Sequence, residues 1–163
     1  MFKRFLGVLI VIALACVCST QVQADTVDKT ADVGAPWGGV AKAYVIYNDV
    51  DLTDVATGDV VQCLDIPAKT FVFDVFVEVA EVVTCGTTTA TVGDGAGANS
   101  WDASTDLNAA VATVTHGASG TDAYATSGKY YSATDTIDLT CTVTSGPITA
   151  GKVRVFAICA TIN

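Results

Sequence analysis

Three features of the sequence predict an all-β chain, a single antiparallel β-sandwich or jelly-roll-like domain of about seven or eight short strands. Valine, threonine and alanine are abundant while methionine occurs once, a composition that favours pleated strands over helices. Several segments alternate apolar and polar residues with period two, the clearest being TIDLTCTVT at 136–144. Glycine, proline, asparagine and aspartate punctuate the chain between those segments.

The first residues, MFKRFLGVLIVIALACVCSTQVQA, place Lys3 and Arg4 before an apolar run and end in Val22-Gln23-Ala24. That three-part form reads as a signal peptide over 1–24, shorter in its apolar part than the ~20 residues of a permanent membrane span. Residues 25–39, DTVDKTADVGAPWGG, are polar and then broken by Pro36 and glycines, so they read as an extended N-terminal arm. The sandwich domain is expected over 40–163, a length that removes roughly two-thirds of its unfolded surface from water.

A first strand is expected over 40–47, and NDVDLTDVATGD follows as a connection. The segments 60–66 and 71–79 are separated by Pro67-Ala68-Lys69-Thr70, which predicts a hairpin with Ile66 facing Phe71, Leu64 facing Phe73 and Val60 facing Val77. Its core side then carries Phe71 and Phe73, and Cys63 points the other way. A strand over 87–92 leads into GDGAGANSWDASTDLNAA, read as a long loop around Trp101. The stretch 104–113 admits a short helix and 111–115 a strand; short pairing is expected around Tyr124 and Tyr130. The last two segments, 136–144 and 152–161, are expected to pair as a terminal hairpin about SGPITAG, setting Cys141 opposite Val155 and Ile137 opposite Cys159.

With eight basic residues against seventeen acids the chain has a formal charge of −9, and Lys3 and Arg4 belong to the leader. Nucleic acid is therefore not an expected partner, because phosphate binding relies on clustered Lys and Arg. Catalysis has little to work with: His116 is the single histidine, and there is no GxSxG, HExxH or close Cys-His spacing. The chain is read as no enzyme, with no cofactor.

Four cysteines follow the leader. In the terminal hairpin Cys141 and Cys159 share a face but stand four residues out of step, roughly 13 Å at about 3.4 Å per residue, beyond disulfide reach. They are expected as buried thiols. A Cys63 to Cys85 bridge stays open for an exported chain. Asp94, Asp102 and Asp106 stand among glycines in one expected loop, candidate oxygen ligands for calcium although their spacing fits no established calcium loop. Trp37, Trp101, Tyr130 and Tyr131 fall in loop-like stretches where aromatics serve as contact anchors for a partner.

Three stretches, GDVVQCLDIPAKTFVFDVFVEVAE, TATVGDGAGANSWDASTDLNAA and GKYYSATDTIDLTCTVTSGPITAGKVRVFAICA, together resemble the small β-rich structural proteins of tailed bacteriophages that decorate the head or lie close to it. The resemblance spans 58–160 and rests on turn and strand patterns without a catalytic residue. It implies a non-enzymatic virion structural protein, a head decoration or head-associated subunit that contacts other coat subunits through loops and a strand edge, forms a homo-oligomer and resides in the particle. The leader departs from that pattern, because cytoplasmic assembly needs no export signal. It motivates the alternative of an exported surface or adhesin-like module, periplasmic or extracellular, binding a glycan or protein.

Overall fold

The computed structural model describes residues 43–117 and 122–162. The expected signal peptide over 1–24, the expected arm over 25–39 and Trp37 lie outside them. Nine strands form among the described residues: β1 (Ala43–Asp51), β2 (Val60–Ile66), β3 (Thr70–Thr84), β4 (Thr88–Asp94), β5 (Gly97–Asp106), β6 (Val114–His116), β7 (Lys129–Tyr131), β8 (Asp135–Val143) and β9 (Ala150–Thr161). No helix forms among them, so none is long and apolar enough to cross a membrane.

One sheet has the order β1-β9-β3-β6, with β7 also on β3, and the other β2-β8-β4-β5. Every pairing is antiparallel. Strands β1 to β4 change sheet at each step, and β8 and β9 lie in opposite sheets. That winding is a jelly roll, with the inner faces of both sheets packed into one apolar core.

Both expected hairpins are therefore corrected. β2 pairs with β8 while β3 pairs with β9, so the 67–69 loop carries the chain across the sandwich. β8 and β9 likewise face each other through the core. Alternation along 136–161 is kept: Ile137, Leu139, Cys141, Val143, Val153, Val155, Ala157 and Cys159 are buried. Each buried Val, Leu or Ile stabilises the fold by roughly 1.5–3 kcal/mol.

Bulges changed the faces of β2 and β3. A register shift between Gln62 and Leu64 turns both Cys63 and Leu64 inward and leaves Val60 59% exposed. A shift between Val72 and Asp74 buries Val72 and Val75, and leaves Phe73 at the surface instead of in the core.

The expected long loop around Trp101 is β4, a tight turn and β5. Gly93 permits the close approach of the two strands: a Cβ there would overlap the Gly97 carbonyl. The stretch 104–113 is no helix. Asp106 Oδ1 accepts from the Asn108 amide at 2.9 Å, and Leu107 N–H donates to the Thr88 carbonyl at 3.0 Å, so local side-chain bonds and the β4 ladder take the groups a helix needs.

Candidate interaction surface

The outer face of the β1-β9-β3-β6 sheet is built in rows that run across the strands. Register aligns Tyr47 of β1 with Phe156 of β9, Phe76 of β3 and His116 of β6. Phe76 and Phe156 stack with centroids 5.0 Å apart and planes 8° from parallel, and His116 lies 5.4 Å from Phe76. Val45 and Ile158 form the neighbouring row, which continues to Asp74 of β3, and Phe71 pairs with Ala160 and Tyr130 in the next. Tyr47 is 66% exposed and Val45 58%. Val45, Tyr47, Arg154 and Phe156 line a shallow concavity there.

On the other side of the aromatic row the character changes within one step along each strand. Asp49, Arg154 and Glu78 align, then Asp51, Lys152 and Glu81. Each row is acid, base, acid, with the base on the central strand β9. Arg154 donates to Asp49 from Nε at 2.7 Å and from Nη2 at 3.1 Å, and its Nη1 stands 3.5 Å from Glu78. The Arg154 hydrogen bond holds the Asp49 carboxyl below its ordinary range. Lys152 reaches Glu81 at 3.3 Å. These exposed pairs set the pattern of charge on the face more than they add stability.

The residues singled out from sequence fall in different places. Trp101 is 1% exposed and Tyr131 is 3% exposed, so neither offers a partner a ring face. Trp101 Nε1 donates to the Tyr131 hydroxyl at 3.3 Å, and that hydroxyl donates to Asp94 Oδ2 at 2.8 Å. Lys129 Nζ reaches the same Asp94 oxygen at 2.5 Å and stands over the Tyr124 and Tyr131 rings. Tyr130, on the opposite face of β7, is 46% exposed and belongs to the outer surface.

The candidate calcium ligands do not converge. Asp94 Oδ1 accepts from the Ala96 and Gly97 amides at 2.9 and 3.1 Å, and its other oxygen is taken by Lys129 and Tyr131. Burial opposes its ionisation, but the bonds from Lys129, Tyr131 and Ala96 prevail and hold its pKa below the ordinary value. Asp102 turns to Ser104 N and Thr105 Oγ1, and Asp106 to Asn108 N. Among the described residues no three His, Cys, Asp or Glu side chains gather as a metal site.

Cys63 and Cys85 form no bridge: all four cysteines of the described residues are free thiols. Cys63 is buried in β2 with its Sγ 3.2 Å from the Val61 carbonyl, whereas Cys85 follows β3 and points at the Ser145 and Gly146 carbonyls. Cys141 and Cys159 are fully buried. Burial pushes the Cys63 thiol up to about 12 and those of Cys141 and Cys159 to about 11.

No protein-family model matches the chain, and no curated protein matches its sequence. Solved structures match it well. A chain of the cyanophage Pam1 capsid asymmetric unit superposes with a TM-score of 0.61 at 18% identity, covering 86% of this chain and 100% of that one. A chain of the Ralstonia phage GP4 capsid gives a TM-score of 0.59 at 15% identity, covering 77% of this chain and 88% of that one. At such identities the likeness is one of fold.

Proposed function

We propose that this chain is a non-enzymatic structural protein of a bacteriophage particle, a head decoration or head-associated subunit that contacts other coat subunits and resides in the virion. The observation that carries this reading is the near end-to-end sharing of one jelly roll with chains of two phage capsids. The sequence motifs over 58–160 point the same way independently.

The chemistry of the surface agrees with a role in assembly. An exposed aromatic and aliphatic band beside paired charges is suited to pressing against another protein. His116 is engaged with Phe76, and the three most buried thiols are held in their unreactive, protonated form. The net charge of −9 opposes nucleic-acid binding and so supports a position away from the packaged genome.

Quantitative mass spectrometry of density-purified particles tests the reading. The chain is expected there at a copy number in fixed proportion to the major coat protein. Recovery only from a cell-envelope fraction, with Asp25 as the N-terminal residue, would overturn it in favour of the exported binding module.

A further inference from the structure

We infer that β1 is a pairing edge and that its occupant is a second copy of this chain, joined antiparallel about a dyad at Ile46. The sandwich has four strand edges, and three of them carry features that block addition of another strand. On β2 the register shift between Gln62 and Leu64 kinks the edge, and the Asn48 side-chain amide donates to the Cys63 carbonyl at 3.1 Å. β5 pairs with β4 through two register shifts. β6 and β7 are three residues long each.

β1 has neither a register shift nor a short span, and its two carboxylates, Asp49 and Asp51, stand in register with Arg154 and Lys152 of β9. Nine consecutive residues, AYVIYNDVD, pair with β9 without a shift, so the strand is long and regular. It contains no lysine, arginine, proline or glycine, and it carries the exposed Val45 and Tyr47. Among the described residues no strand lies on its outer side.

Complementarity selects a second copy as the occupant. With the dyad at Ile46, Val45 faces the partner's Tyr47, Tyr44 faces the partner's Asn48, and Asp49 faces the partner's Ala43. Apolar side chains meet on the outer face, and no acid opposes an acid, which cross-strand pairing requires. A dyad at Tyr47 instead sets Val45 against the partner's Asp49. The Ile46 register also carries the aromatic row of one protomer into the Val45 row of the next, giving one continuous sheet and a closed two-fold interface.

The inference stands apart from the virion reading, because it is tested in solution. Sedimentation velocity of the purified chain is expected to show a dimer. Val45→Lys is expected to halve the mass while the monomer keeps a cooperative unfolding transition, since Val45 is largely exposed within a protomer. Adding Tyr47→Glu to it restores the dimer, because the introduced lysine then faces the partner's introduced glutamate. If the single variant unfolds, Tyr47→Lys serves in its place, with Val45→Glu as the restoring change. A monomeric wild type, a single variant that stays dimeric, or a double variant that stays monomeric overturns the inference. So does a monomer that acquires a strand on β1 only from a different particle protein. A dimer absent from particles sustains this inference and removes the virion reading.

Discussion

Asp94 and Asp138 show how the same side chain acts in opposite senses on the neighbouring strands β4 and β8. Asp94 has no exposed side-chain surface, yet both its oxygens are engaged, one by Lys129 and Tyr131 and the other by two backbone amides. Its folded pKa lies below the unfolded value, so its stabilisation is present above about pH 4 and lost as the pH falls through the folded pKa. Asp94→Ala leaves Lys129 without its partner and is expected to cost about 3–5 kcal/mol, measured by urea unfolding at neutral pH. Asp138 is 7% exposed, and its Oδ1 has no hydrogen-bond partner. Burial raises its pKa, a bond to Thr136 opposes the rise, and the charges of Asp135 and Asp94 add to it. Ionised Asp138 therefore opposes folding above its folded pKa, and the penalty is relieved as the pH falls through that value. Asp138→Asn is expected to raise stability near neutrality by about 1 kcal/mol, because it removes a buried charge that faces Asp135 and Asp94. That gain should vanish below about pH 4, where the wild-type carboxyl is protonated as well; a variant less stable at neutral pH contradicts the assignment. Trp101→Ala empties the space between the sheets and is expected to cost about 3–5 kcal/mol. Asp94 and Trp101 were visible in sequence as residues of interest, but not in their roles. GANSWDASTD lacks apolar alternation because Ser100, Asp102 and Thr105 are buried as polar groups, two of them hydrogen-bonded to each other.

Strand content was legible from period-two patterning, and strand partners were not. Apolar residues at 137, 139, 141 and 143 and at 153, 155, 157 and 159 say which side faces the core. Two such strands satisfy that pattern equally as hairpin neighbours or as opposing walls. The connection at 67–69 is short enough for a hairpin and long enough to cross the sandwich, so loop length did not separate the cases either. The extra residue in β2 and in β3 breaks the alternation there, so the exposed Val60 and Phe73 change sides. A one-residue bulge reverses every side chain beyond it, and no local propensity announces it. The placement of thiols follows from the strands that carry them. Cys63, Cys141 and Cys159 face the interior, while Cys85 sits in the half-buried turn after β3. Native chain treated with a maleimide is expected to take up label at Cys85 and not at Cys63, Cys141 or Cys159 until denaturant is added. Peptide mapping that finds Cys141 or Cys159 labelled in native buffer contradicts the packing of the two sheets.

At the scale of the whole molecule, the two sheets make a sandwich whose described surface carries an aromatic band and a long, regular edge strand, and whose described residues gather no metal site. The fold class and the phage resemblance were both legible in sequence, the first from composition and alternation, the second from turn motifs that recur in order. The aromatic band was not, because its members come from four strands, and only the register sets Tyr47, Phe156, Phe76 and His116 side by side. The central claim is that this jelly roll is a building block of a phage head. Cryo-electron microscopy of purified particles tests it most directly. The account predicts symmetry-repeated density on the head into which the sheets β1-β9-β3-β6 and β2-β8-β4-β5 fit without rearrangement. A complete assignment of head density to other proteins, with none left for this chain, would contradict it.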